Sequence, residues 1–127
     1  HLTKQNVNLS NIQFYIHPTN DAWCRDHGPA FLINSNADIK KIIIDWKYNA
    51  WGNKYPPFDL DNKIPHLISE QLNIPTFQPK IVMEGGSVDF NGKGTLLTTK
   101  ACLLNPNRNH HETHLTNVMN TRRSASG

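Results

Sequence analysis

Apolar and polar residues alternate at Ile12, Phe14 and Ile16, the period of a strand with one buried face, so a strand is predicted from Ile12 to His17. The residues before it are polar and rich in Asn and Gln, and read as the frayed end of an element begun upstream. After a polar stretch, Thr19 to Pro29, apolar character returns at Ala30-Phe31-Leu32-Ile33, a second strand. Asn34-Ser35-Asn36-Ala37-Asp38 has the composition of a hairpin turn. The next segment, Ile39 to Trp46, contains Ile42-Ile43-Ile44, a β-branched run suited to a strand covered on both faces.

Pro56-Pro57 prevents an earlier helix start. Asp59 or Asp61 then caps a helix running to about Leu72, with Ile64, Leu67, Ile68, Gln71 and Leu72 at helical spacing. Pro65 falls in its first turn, where a missing N–H costs little, and Asn73 ends it. Thr76 to Glu84 is predicted as a strand, and Ser87 to Phe90 pairs with Thr95 to Leu104 across Asn91-Gly92-Lys93-Gly94. Asn105-Pro106-Asn107-Arg108-Asn109 is a loop, Glu112 to Met119 a short helix, and Ser124 to Gly127 a flexible end. The result is a mixed α/β chain with a β-β-α-β cadence whose second hairpin repeats the layout of the first.

Composition narrows the function classes. In 127 residues, 37% hydrophobic and 18% charged, the chain holds one domain with a modest core. The formal charge is +3 and the basic residues are scattered apart from Arg122-Arg123, so no nucleic-acid stripe is expected. No apolar run is long enough to span a bilayer, and no signal-peptide pattern opens the chain, so no membrane partner is expected either. Two cysteines, Cys24 and Cys102, do not make a disulfide scaffold, which points to a reducing compartment, the cytoplasm.

The chemistry concentrates in two stretches. Thr19-Asn20-Asp21-Ala22-Trp23-Cys24-Arg25-Asp26-His27-Gly28-Pro29 crowds two acids, an arginine, a tryptophan and a histidine into one loop. Met83-Glu84-Gly85-Gly86-Ser87 is an acid at a strand end before a diglycine turn. Two carboxylates from different loops clamp a planar guanidinium through paired, charge-assisted hydrogen bonds, and an adjacent tryptophan adds a flat wall. On pattern alone, Asp26 as a loop cap or a partner of Arg25, and Glu84 as a solvated strand end, explain the same residues.

Further blocks follow in order: Asp45-Trp46 with Asn49-Ala50-Trp51-Gly52, Tyr55-Pro56-Pro57, Gly94-Thr95-Leu96-Leu97-Thr98-Thr99 and Cys102-Leu103-Leu104-Asn105-Pro106-Asn107-Arg108-Asn109. Together with the two anchor stretches they resemble agmatine deiminase and its bacterial peptidyl-arginine deiminase relatives, over roughly residues 12 to 109. The resemblance implies a five-bladed α/β propeller of β-β-α-β modules, pentein-like, with the active site on its axis and about two modules present here. It implies hydrolysis of a guanidinium to a ureido group and ammonia, with no metal and no cofactor. For agmatine, the product is N-carbamoylputrescine. In this family a cysteine thiolate attacks the guanidinium carbon, a histidine handles the protons, and acids hold the substrate. By motif, Asp26 and Glu84 match guanidinium-binding acids, and Trp23 matches the tryptophan beside the first. The implied partner is a small guanidine such as agmatine; the alternative functions are a non-catalytic guanidinium-binding or interaction module of the same fold and a peptidyl-arginine deiminase.

The departures matter as much. The family's His-x-Asp block and its glycine-rich cysteine block are not in these residues, so no catalytic residue is assigned and the chain reads as a partial catalytic domain, 1–109, with an unmatched segment, 110–127. Cys24 stands two residues from Asp26, on the opposite side of an extended segment, among acids that disfavour a thiolate. Cys102 reads as core, so neither is taken as the nucleophile. His27 is read as bonding within its loop, with no partner that would make it a base. His111-Glu112-Thr113-His114 falls one residue short of a His-Glu-x-x-His site, leaving His110, His111 and His114 as a solvated cluster. Trp46, Tyr48 and Trp51 read as core and rim packing, Trp51 with Gly52 near the pocket mouth. Partial modules leave apolar faces uncovered, so self-association or pairing with the rest of the fold is expected.

Overall fold

The isoleucine run organises the first sheet. In the computed structural model, which describes residues 3–5 and 7–110, β2 (Lys41–Ile44) is the central strand of three. Its consecutive residues Ile43 and Ile44 point to opposite faces and are both buried, as a strand covered on both sides requires. β1 (Ala30–Ile33) pairs antiparallel with it, Ala30 opposite Ile44 and Ile33 opposite Lys41. β3 (Thr76–Phe77) lies parallel on the other side, Thr76 opposite Ile43. A parallel pair needs a crossover, and helix α3 (Ile64–Leu72) supplies it. Pro65 sits in the first turn of α3, and Asn73 closes it in a left-handed conformation (φ 51°). The order β1-β2-α3-β3 is the expected cadence in a mixed α/β chain.

The strand predicted over Thr76 to Glu84 is interrupted. Ile43 N–H bonds the Pro75 carbonyl and Asp45 N–H that of Phe77, but Lys47 N–H bonds that of Ile81. Each two-residue step from Ile43 to Asp45 to Lys47 is thus matched first by two residues and then by four on the facing segment, so two residues are looped out. Pro79 has no N–H for the ladder, and Lys80 has a φ of 60°. Pairing resumes as a bridge between Lys47 and Val82, which carries the chain into Glu84.

β4 (Val88–Phe90) and β5 (Leu96–Thr98) form the expected hairpin, Val88 opposite Thr98. Asn91 Oδ1 accepts from the N–H groups of Lys93 and Thr95 within its turn. β5 is shorter than predicted, because Thr99 caps a helical turn, α4 (Lys100–Leu103), by accepting from Cys102 N–H. A core of Met83, Val88 and Leu103, flanked by Trp46 and Ile81, joins this hairpin to the end of the parallel segment.

Two more expectations are corrected. Ile12 to His17 has no regular secondary structure and pairs with no strand among the described residues, and Ile16 is 94% exposed. Neither Asp59 nor Asp61 caps α3; Asp61 opens a 3-10 turn (Asp61–Lys63) that leads into the helix. The helix predicted at Glu112 to Met119, the cluster at His111 to His114 and the final residues lie outside the described residues. No helix of the described residues is long and apolar enough to cross a membrane.

Candidate functional site

The two anchor stretches pack directly on each other. Cys24–His27 forms a single helical turn, α1, and Gly85–Ser87 a 3-10 turn against it. Gly86 N–H donates to Asp26 Oδ1 at 2.9 Å. A Cβ on Gly85 would run into the Arg25 carbonyl oxygen, and one on Gly86 into Asp26 Oδ1. The diglycine is therefore the condition for bringing Asp26 up to the loop that begins at Glu84. The turn also changes the argument for Cys24. It is helical rather than extended, but residues two apart still diverge on a helix, and Cys24 is exposed. Cys102 is half-buried in α4 and not in a strand.

Glu84 is no solvated strand end. It is 2% exposed, and its Oε1 lies 2.8 Å from Arg108 Nε. Each of the two acids thus commits one oxygen to the protein. Among the described residues, none donates a hydrogen bond to Asp26 Oδ2 or Glu84 Oε2.

A second layer holds α1 from behind. Asp61, 1% exposed, accepts from Asn20 N–H at 2.7 Å and from Asp21 N–H at 3.3 Å, while Asn20 Oδ1 accepts from Leu60 N–H at 2.8 Å. This reciprocal lock ties the entry of the first anchor to the start of the helical segment. His27 does not bond within its loop. It is buried with its Nε2 4.0 Å from Asp61 Oδ1, and neither ring nitrogen has a hydrogen-bond partner.

Aromatic rings form one wall. Trp23, 52% exposed, stands edge-on to Trp51 with centroids 5.6 Å apart, and Trp51 meets Tyr48 at 5.8 Å and Tyr55 at 5.7 Å. Trp51 is presented by α2 (Ala50–Asn53), a turn in which Trp51 (φ 60°, ψ 40°) and Gly52 (φ 83°, ψ 44°) are left-handed. That conformation costs a bulky residue about 1–2 kcal/mol, and such strain gathers at functional positions. Asn49 holds the turn by accepting from Gly52 N–H at 3.0 Å. Burial, reinforced by the charges of Asp26, Asp61, Asp21 and Glu84, pushes the Tyr48 hydroxyl up from 10.0 to about 12. The four carboxylates thus lie near enough to one phenol to disfavour its ionisation.

A cleft of about 680 Å³ passes Lys47, Tyr48, Asn62, Val82 and Arg108, but Trp23, Asp26 and Glu84 do not line it. Arg108, which contacts Glu84, is the link between that cleft and the two acids. Trp23, Asp26 and Glu84 are the residues expected from sequence, whereas Arg108 is expected only as a loop residue and Asp61 as one of two helix-cap candidates. Their partners lie 24 and 40–41 residues away in sequence, and only the Asn-rich run around Arg108 hinted at a built loop.

The chain matches the Porphyromonas-type peptidyl-arginine deiminase family over residues 1–122. It is 40% identical to the agmatine deiminase of Pseudomonas savastanoi pv. phaseolicola over 112 residues, 84% of this chain and 30% of that protein. Among solved structures, it resembles an agmatine deiminase of Enterococcus faecalis with a TM-score of 0.68 and 39% identity, over 75% of this chain and 27% of that one. It also resembles a C. jejuni agmatine deiminase with substrate bound, with a TM-score of 0.72 and 34% identity, over 93% of this chain and 35% of that one. The chain thus spans about 30% of the length of the curated relatives it matches. On the family match and the two packed anchor loops, this chain belongs to the Porphyromonas-type peptidyl-arginine deiminase family.

Proposed function

We propose that this chain carries the guanidinium-binding part of an agmatine deiminase-like hydrolase. The observation that carries the reading is the diglycine contact, which joins Asp26 to the Glu84 loop while each acid keeps one oxygen free of described donors. Two such oxygens suit the edges of a guanidinium, hold it protonated and planar, and keep its carbon open to attack. Trp23 and Trp51 form the adjacent wall. In the full reaction a cysteine thiolate adds to the guanidinium carbon, ammonia departs with a proton delivered by a histidine, and water releases the ureido product. We assign those two residues to the His-x-Asp and cysteine blocks of a complete fold, and neither Cys24 nor Cys102 to the nucleophile.

Agmatine is favoured over peptidyl-arginine because the curated relatives and substrate-bound neighbour are agmatine deiminases. The β1-β2-α3-β3 unit is read as one propeller module and the β4-β5 hairpin as the beginning of the next. Exposed apolar residues on β1, with Ile33 73% exposed, are then faces for neighbouring modules or a second copy. Two free thiols accord with a cytoplasmic protein.

The test is binding of agmatine and putrescine to the 127-residue chain, followed by tryptophan fluorescence and calorimetry. The two ligands share the aminobutyl chain and differ in the guanidinium. Agmatine binding at least about tenfold tighter supports the clamp, since one charge-assisted contact contributes about 1.5–3 kcal/mol. Equal affinity, or none for either, sinks it.

A further inference from the structure

We propose that Arg108 is a positioning residue for Glu84: an internal guanidinium that fixes one carboxylate oxygen so that the other is presented to the substrate. The inference rests on the reading of Glu84 as a substrate-binding acid. A carboxylate as buried as Glu84 needs a charged or hydrogen-bonding partner, and Arg108 Nε at 2.8 Å from Oε1 is the one Lys or Arg ion pair among the described residues. The contact lacks the alignment of a good hydrogen bond, since neither atom is satisfied by one, so it acts chiefly through charge.

Arg108 is gripped on both sides. Its Nη1 lies 3.4 Å from the carbonyl oxygens of Ala101 and Cys102 in α4. Asn49 Nδ2 reaches the carbonyls of Asn107 and Arg108 at 3.3 and 3.4 Å, which ties the loop to the turn that presents Trp51. The next residue, Asn109, locks the loop in place. Its Oδ1 accepts from Val82 N–H, and its Nδ2 donates to the carbonyls of Val82 and Leu103, all at 2.9 Å. The side-chain amide takes the place of a neighbouring strand two residues before Glu84.

This geometry distinguishes a support from a plug. A plug would stand in for the substrate's guanidinium and swing out when it arrives, and its removal would tighten binding. Arg108 is anchored at its head by carbonyls and at its backbone by Asn49, with Asn109 fixed beside it, so it stays while the substrate binds. Its removal leaves Glu84 without a counter-charge and free to turn.

The experiment compares agmatine dissociation constants for the 127-residue chain and its Arg108→Gln, Arg108→Lys, Glu84→Gln and Arg108→Gln/Glu84→Gln variants. The carboxyl carbon resonance of Glu84 is followed in the wild type and the two single Arg108 variants. Arg108→Met, which keeps the aliphatic stem, replaces Arg108→Gln if that variant does not fold. We expect Arg108→Gln to raise Kd about tenfold or more and Arg108→Lys to recover most of the loss. The Arg108→Gln effect should vanish in the Glu84→Gln background, and the Glu84 resonance should move in Arg108→Gln far more than in Arg108→Lys. A merely structural arginine would add the same factor in both backgrounds. Unchanged or tighter agmatine binding in Arg108→Gln, or an unmoved Glu84 resonance, overturns the inference. Failure of the wild type to prefer agmatine over putrescine sinks the functional reading instead, and the resonance then decides alone whether Arg108 sets Glu84.

Discussion

Gly86 donates its backbone N–H to Asp26 Oδ1 across 60 residues of sequence, and that single bond joins the two anchor loops. Because a Cβ at Gly86 would occupy the position of Asp26 Oδ1, Gly86→Ala must push the carboxylate aside. It should retain the fold and lose about tenfold in agmatine affinity. At Gly85 the obstacle is a backbone carbonyl, that of Arg25, which cannot swing away. Gly85→Ala should therefore destabilise by about 2–4 kcal/mol, measured by chemical denaturation. Wild-type stability in Gly85→Ala would refute the close approach.

Asp26→Asn and Glu84→Gln each keep the shape of the side chain and remove its charge. Each should weaken agmatine binding by about 10- to 100-fold while leaving putrescine binding unchanged, from a contact contributing about 1.5–3 kcal/mol. In a complete enzyme the same changes should lower turnover by two or more orders of magnitude, because positioning is lost as well. Near-normal kinetics in both variants would remove the clamp.

Asn109→Leu replaces an amide that makes three hydrogen bonds with a side chain of similar size that makes none. Buried backbone groups at Val82 and Leu103 are left unpaired, at about 1–3 kcal/mol each. The expected loss is about 3 kcal/mol or more of folding stability, with amide exchange at Val82 accelerated in proportion. An unchanged denaturation midpoint would show that the amide is dispensable.

Alkaline pH offers a test centred on Tyr48. Its hydroxyl is held near 12 in the folded chain against 10.0 in the unfolded one, by burial first and then by Asp26, Asp61, Asp21 and Glu84. The folded state thus binds this proton more tightly. The stabilisation is complete below pH 10 and is lost as pH rises from 10 to 12, where the unfolded chain ionises first. A Tyr48→Phe variant should lack this component of the alkaline decline, and a tyrosinate titration should lose its late step. A titration curve identical to the wild type would contradict the placement.

The exposed run Phe31-Leu32-Ile33 on the edge strand β1 predicts association of the isolated chain. Sedimentation velocity should show mass rising with concentration, and Leu32→Lys should suppress it. A monomer that unfolds cooperatively at every concentration would count against partial modules.

What could be read in the sequence was what lies close in sequence or repeats at a fixed period. Ile42-Ile43-Ile44 announced a strand covered on both faces, and Asn91-Gly92-Lys93-Gly94 a tight turn, and both are present. Alternation at Ile12, Phe14 and Ile16 misled, because a period marks a face without supplying the partner strand that makes a ladder. The break at Pro79 and Lys80 was not foreseen in the strand predicted over Thr76 to Glu84, because the two-residue loop-out ahead of the Lys47–Ile81 bond shows only in the pairing. Asp26 and Glu84 were found as motif residues; that one leans on Gly86 and the other on Arg108 is tertiary information.

The amide clasp of Asn109 also bears on the order of folding. Val82 N–H donates to a residue 27 positions later, Asp26 accepts from one 60 positions later, and Asp61 accepts from one about 40 positions earlier. Closing such spans is entropically expensive, and local elements such as α3 and the β4-β5 hairpin form faster. The Glu84 loop should therefore mature last, after the segment carrying Arg108 and Asn109 has docked. During synthesis, a ribosome that has released Glu84 but not Asn109 holds a chain with its acids made and its binding geometry still unformed.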